Sequence, residues 1–252
     1  MAEVHNRRPT DQDWRSARDR TASSVTVMVA IESVILEVAD IAAAQRFYAP
    51  AFGLGTQLRL RESQEPTIGF RGFTLSLVVS QPSTVNGLFG SALDAGAAPL
   101  KPASKSFWGY GGVLQAPDGT IWKISTSEKK DTGPATRHID QMVLLLGVAD
   151  VLATKRFYIE HGLDVAKSFG RKYVEFATPS SAVKLALYGR RAAAKDAGVS
   201  PDGSGSHRLV IAGDAGSFTD PDGFAWTALV TDITGTAGSA HVGGSASLRR
   251  SA

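Results

Sequence analysis

The chain has 252 residues, 43% of them hydrophobic and 20% charged, which excludes wholesale disorder and allows one large domain or two ordinary ones. A formal net charge of +3 is too small to argue for a nucleic-acid groove. With no cysteine, disulfides, thiolate metal sites and cysteine nucleophiles are excluded.

In chain order, residues 1–27 mix Arg7, Arg8, Arg15, Arg18 and Arg20 with Asp11, Asp13 and Asp19. They lack an apolar signal core and read as a flexible tail. No apolar run reaches ~18 residues, so no membrane partner is expected and a cytoplasmic location is the default. Val34 to Val38 is aliphatic and β-branched and reads as a buried strand. Asp40 follows where a carboxylate can accept from the unpaired N–H groups of a first helical turn. Ala43 and Phe47, four apart, give that helix an apolar face, and Gly53 suits its exit. Thr56 to Arg61, Ile68 to Phe70 and Phe73 to Val79 read as strands, and Val85 to Ala95 as a helix ending at Gly96.

The next segment, Lys105-Ser106-Phe107-Trp108-Gly109-Tyr110-Gly111-Gly112, interleaves three aromatics with glycines ahead of a Val113 to Ala116 strand. Such a segment can present flat apolar faces to a ligand, or form a packed aromatic edge. Pro117-Asp118-Gly119 is a turn, with proline fixing φ and glycine tolerating a positive one, and it leads into a strand carrying Trp122 and Lys123. Residues 128–136 are polar, contain Gly133 and Pro134, and read as a linker.

Beyond the linker the pattern restarts. Val38-Ala39-Asp40, Ala43 and Arg46-Phe47-Tyr48 recur as Val148-Ala149-Asp150, Ala153 and Arg156-Phe157-Tyr158. Gly53-Leu54 recurs as Gly162-Leu163, and Pro117-Asp118-Gly119 with Trp122 as Pro221-Asp222-Gly223 with Trp226. Ordered motifs in duplicate indicate an internal duplication. Val165 to Phe169, Tyr173 to Ala177, Val183 to Tyr188 and His207 to Ala212 read as strands. Arg190, Arg191 and Lys195 read as a solvated basic face at the start of a loop running to Ser206. The second copy lacks a second helix and a strand, and residues 232–252 read as another flexible tail.

The order of strand, Asp-capped helix with Arg-Phe-Tyr, further strands and a Pro-Asp-Gly turn before a Trp strand resembles the vicinal oxygen chelate superfamily. That superfamily includes glyoxalases, bleomycin-resistance proteins and extradiol dioxygenases. The resemblance implies an α+β fold of tandem βαβββ modules with curved mixed sheets. It places one glyoxalase-like domain at 28–127 and a second, truncated one at 137–231. Because both copies are trimmed, a cup completed by the other copy and one completed by a second chain in a homodimer are both open.

Members of the superfamily hold a divalent metal through His, Gln and Glu on inward strand positions. Carried over, those positions fall on Ser33, Thr74 and Lys123 in the first copy, and on Gln141, His207 and Thr227 in the second. A lysine ammonium repels a dication. Gln141 and His207 are two ligands of an incomplete set, so no cofactor is expected. The leading expectation is therefore metal-independent binding of a small aromatic or anionic molecule in a cup formed by Phe107, Trp108, Tyr110, Trp122, Lys123, Ser33 and Thr74. The alternatives are a metal-dependent lyase, isomerase or dioxygenase using the second copy, and a non-catalytic interaction module.

Overall fold

The computed structural model describes residues 29–228. Both expected tails, 1–27 and 232–252, lie outside the described residues. Each copy opens on a strand and a helix: β1 (Ile31–Val38) and α1 (Ile41–Ala51), then β8 (Gln141–Val148) and α3 (Val151–Glu160). Asp40 Oδ1 accepts from Ala43 N at 2.9 Å. Asp150 Oδ1 accepts from Leu152 N at 2.9 Å and Ala153 N at 3.2 Å, and these bonds hold its carboxyl below the usual range. Gly53 and Gly162 close the helices at φ 62° and 87°, a backbone region that glycine enters without steric cost. The buried face of α1 is Ala44, Phe47, Tyr48 and Ala51, so Ala43 sits one position off it and is exposed.

The first copy continues with β2 (Leu58–Glu62), β3 (Thr67–Gly69), β4 (Phe73–Val78), α2 (Pro82–Asp94), β5 (Ala98–Ser106), β6 (Gly109–Gln115) and β7 (Ile121–Thr126). The second continues with β9 (Asp164–Ser168), β10 (Tyr173–Ala177), β11 (Val183–Gly189), α4 (Arg190–Ala197), β12 (Gly203–Gly205), β13 (Leu209–Gly213), β14 (Phe218–Thr219) and β15 (Ala225–Ala228). Segment 190–197, expected as the start of a loop, is thus a helix. It ends on Gly198 at φ 81°.

Both main sheets combine strands from both copies. An eight-stranded sheet runs β5-β6-β7-β4-β8-β11-β10-β9, with β4 and β8 antiparallel at its centre. On either side lies one complete βαβββ module, β4-α2-β5-β6-β7 and β8-α3-β9-β10-β11. A five-stranded sheet runs β14-β15-β13-β1-β2, with β1 antiparallel to β13, and unites the two trimmed modules. The trimming is complementary: the first copy is short at its start and the second at its end. The other copy completes each sheet within the one chain. β3 and β12 form a separate two-stranded ribbon.

Alternate residues of both sheets and the inner faces of α1 and α3 share one apolar core that includes Leu36, Phe47, Leu75, Trp122, Leu144, Tyr158, Leu185 and Trp226. Segment 128–136 is fastened to the body. Gln81 Oε1 accepts from Thr132 N at 2.9 Å and Gly133 N at 3.0 Å, while its Nε2 donates to the carbonyls of Gly133 and Pro134. Among the described residues no helix is long and apolar enough to cross a membrane.

Candidate ligand-binding cup

Side chains alternate across a strand, so one face of the eight-stranded sheet enters the core and the other carries a separate set. That second set includes Ser76 and Val78 on β4, Lys123 and Ser125 on β7, Val143 and Leu145 on β8, Tyr188 on β11 and Tyr173 on β10, nearly all half-buried. They border two adjoining cavities of about 380 and 350 Å3 that have Val78, Lys123, Ser125 and Asp196 in common. Lys123 stands where they meet, and its Nζ donates to Asp196 Oδ2 at 2.9 Å.

Asp196 reaches this point because α4 lies on the cup face. Ala193, Ala194 and Ala197 pack with Phe70, Val113 and Ile121 in a small second apolar cluster. Gly147 on β8 permits the approach: a Cβ there would stand 3.1 Å from that of Ala193 and 3.0 Å from the Gly72 carbonyl oxygen. Both ends of α4 are tied. Arg190 donates to the carbonyls of Pro201 at 3.0 Å and Phe70 at 2.6 Å, with its guanidinium over the Phe70 ring. Lys101 Nζ donates to the carbonyls of Lys195 and Asp196 at 2.8 and 2.6 Å, a cation at the negative end of the helix.

Of the expected ligand-binding residues, Lys123, Trp108 and Tyr110 border the 380 Å3 cavity. Trp108 and Phe107 form the tip of the β5–β6 hairpin, 83% and 81% exposed and packed edge to face. The Tyr110 hydroxyl is engaged outside the cup, donating to Asn86 of α2 at 2.8 Å. Trp122 is 0% exposed and belongs to the core, because neighbours on a strand face opposite ways and Lys123 takes the cup side. Ser33 lies buried in the five-stranded sheet with no hydrogen-bond partner for its Oγ. Thr74 is buried on β4, beyond the lining of either cavity. Sequence reasoning missed Tyr173, Tyr188 and Asp196. The alternation of β10 and β11 could have yielded the two tyrosines once their sheet was known.

The described residues do not fit a divalent metal. Gln141 and His207 belong to different parts of the fold, one on the eight-stranded sheet and the other just ahead of β13 in the five-stranded one. Both nitrogens of the His207 ring face carbonyl oxygens, Nδ1 that of Arg71 and Nε2 that of Asp222 at 3.0 Å, and the ring stacks on Phe224. A backbone carbonyl thus stands in the path by which a metal would reach either nitrogen. Thr74 pairs with Leu145 and so stands four strand positions, roughly 13 Å at ~3.3 Å per residue, from the register of Gln141. Ser33 pairs with Ala212, five positions from His207. His138 and Asp140 precede β8 as an exposed pair 3.5 Å apart. Among the described residues no group of three or more His, Asp or Glu could hold a metal ion.

Two buried hydroxyls brace the scaffold. Tyr48 donates to Asp118 Oδ2 and Tyr158 to Asp220 Oδ2, each at 2.7 Å, with Trp122 and Trp226 donating to the respective tyrosines. Burial, then the adjacent carboxylate, pushes both phenols well above their ordinary range. The aspartates are not equivalent: aligned on the tryptophans, Asp118 matches Asp222, and the tyrosine of the second copy uses the carboxylate two positions earlier. Within the cup, burial and then Glu175 raise the Tyr173 phenol to about 12.

No family model matches the sequence, and no curated protein matches it. Solved structures do. Glyoxalase I from Zea mays superposes with a TM-score of 0.54 at 16% identity, over 79% of this chain and 92% of that one. Two variants of that enzyme give 0.54 and 0.52 at 14% identity, over 79% of this chain and 93% and 92% of theirs. Together with the paired βαβββ modules, these likenesses show that the chain has the fold of glyoxalase I.

Proposed function

We propose that the protein binds a small anionic aromatic molecule in the cup of the eight-stranded sheet, without a metal. The observation that carries this proposal is the Lys123 ammonium at the junction of the two cavities, at the position where the superfamily resemblance leads one to expect a metal-ligating carboxylate. A cation there offers a ligand anion a partner, with Tyr173, Tyr188, Val143 and Leu145 on one side and Trp108 at the mouth on the other. A largely apolar concavity with one charged group is the usual composition of a small-molecule site.

The test is titration of the purified chain with a panel of aromatic carboxylates and their neutral amides, read by calorimetry. The carboxylates bind saturably, the amides at least tenfold more weakly, and Lys123→Gln removes the difference. Absence of saturable binding across the panel, or an unchanged carboxylate preference in Lys123→Gln, overturns the proposal.

A further inference from the structure

We propose that a cavity beside α1, separate from the cup and bordered by both copies, binds a small monocarboxylate, with the carboxylate held between Arg71 and Arg208 and an apolar body against Phe47 and Pro117. The cavity measures about 310 Å3 and lies where the end of β1, the start of α1 and the Pro117-Asp118 turn converge. That volume is at the lower end of the range for ligand sites, roughly 300–1,000 Å3.

The second copy shows why space is open here. There, Asp222 folds back onto the start of α3, its Oδ1 accepting from Ala149 N at 2.6 Å and its Oδ2 from the Thr154 hydroxyl at 2.7 Å. In the first copy Ala44 stands in place of Thr154, and Asp118 turns away to Tyr48 and Thr120 N. The corner that one copy fills with a carboxylate is vacated in the other, and two guanidiniums border it.

Those guanidiniums are under-used. Among the described residues Arg71 donates only to the Asp118 carbonyl, and the Arg208 side chain only to the Ser63 carbonyl at 2.6 Å. Neither has a carboxylate ion-pair partner among the described residues. Arg208 Nε and Thr67 Oγ1, both from lining residues, are buried without a hydrogen-bond partner. The carboxylates around the cavity are engaged: Glu37 with Arg61 at 2.5 Å, Asp40 with Ala43 N, and Asp118 through both oxygens.

Arg208 is the one non-glycine among the described residues with positive φ, 55°. Such a conformation persists only where surroundings impose it and is concentrated at functional positions. Burial lowers Arg71 from its ordinary value; the Asp118 carboxylate opposes that lowering, and repulsion from the nearby Arg208 adds a smaller part to it. A carboxylate between them accepts from both forks and offsets that repulsion.

The test uses the full chain with alanine methyl groups labelled for NMR, benzoate as the probe and benzamide as its neutral control. Benzoate shifts the methyls of Ala39, Ala43 and Ala44 saturably and benzamide does not. Arg208→Gln weakens the effect at least tenfold. Ala43→Leu, at an exposed position that opens on the cavity, fills the space and abolishes it while the chain stays folded. Lys123→Gln, which tests the cup, leaves these shifts intact, so the two proposals fail separately. Shifts confined to Ala186 and other cup methyls, equal binding of benzamide, or shifts that survive Ala43→Leu overturn the inference.

Discussion

Lys123 Nζ and Asp196 Oδ2, 73 positions apart in sequence, meet at 2.9 Å and join the floor of the cup to the helix that lies on it. The ammonium is therefore shared between an internal carboxylate and any anion that enters. Because the two side chains are 35% and 41% exposed, solvent screening keeps their own attraction small.

Asp196→Asn is accordingly expected to change stability by at most ~1 kcal/mol while tightening the binding of an aromatic carboxylate, since the competing charge is gone. Urea unfolding and calorimetric titration of the same preparation check both halves of this expectation. Weaker binding in Asp196→Asn would contradict it.

The aromatic residues separate into scaffold and mouth. Trp122→Ala empties a fully buried site and costs about 3–5 kcal/mol, a large part of the roughly 5–15 kcal/mol that holds an ordinary domain together. Trp108→Ala, at an 83% exposed position, stays within about 0.5 kcal/mol of the parent and lowers ligand affinity instead. Denaturation midpoints alongside ligand titrations distinguish the two.

Asp220 gives stability a pH dependence of definite sign. Burial raises its carboxyl above the ordinary value of 3.8, so the folded chain keeps this proton longer than the unfolded chain does. Its contribution to stability therefore falls as pH rises from the ordinary carboxylate range through the raised value. Asp220→Asn should flatten that portion of a melting-temperature profile. Tyr158→Phe, which strips a donor from a buried carboxylate, should cost about 1–3 kcal/mol at neutral pH.

The seat of α4 can be tested from beneath. Gly147→Ala brings a methyl within 3.1 Å of the Ala193 Cβ and 3.0 Å of a backbone carbonyl, so the helix or the strand must yield. A loss of about 1–3 kcal/mol is expected, with faster amide exchange in 190–197 than in α1.

What the sequence disclosed was local. The Asp40 and Asp150 caps, the glycine exits and the Pro-Asp-Gly turns follow from chemistry within a few residues, and each forms as expected. Strand partners depend on register between segments far apart, and periodicity carries no record of it, so completion by the other copy stood only as one of two open alternatives, without its strand order. α4 was missed because Arg190-Arg191-Ala192-Ala193-Ala194-Lys195-Asp196-Ala197 has no side chain larger than alanine on its buried face. Its helix-favouring residues and the closing Gly198 were nonetheless present as signals. The alternation rule could have separated Trp122 from Lys123. Nothing in the local sequence announced that Arg71 and Arg208, 137 positions apart, would border one cavity.

The pairing of β1 with β13 also bears on how the chain is made. Ala30 N and Asp214 Oδ1, which close one end of that pair, are 184 positions apart. At a synthesis rate of roughly 5–20 residues per second, β1 emerges from the ribosome about 10–40 s before its partner exists. Throughout that interval β2 can cover one edge of β1, and the other remains an open row of hydrogen-bonding groups. Newly made first copies are thus the stage at which this protein is most exposed to aberrant strand pairing, and the point at which a chaperone would have most to protect.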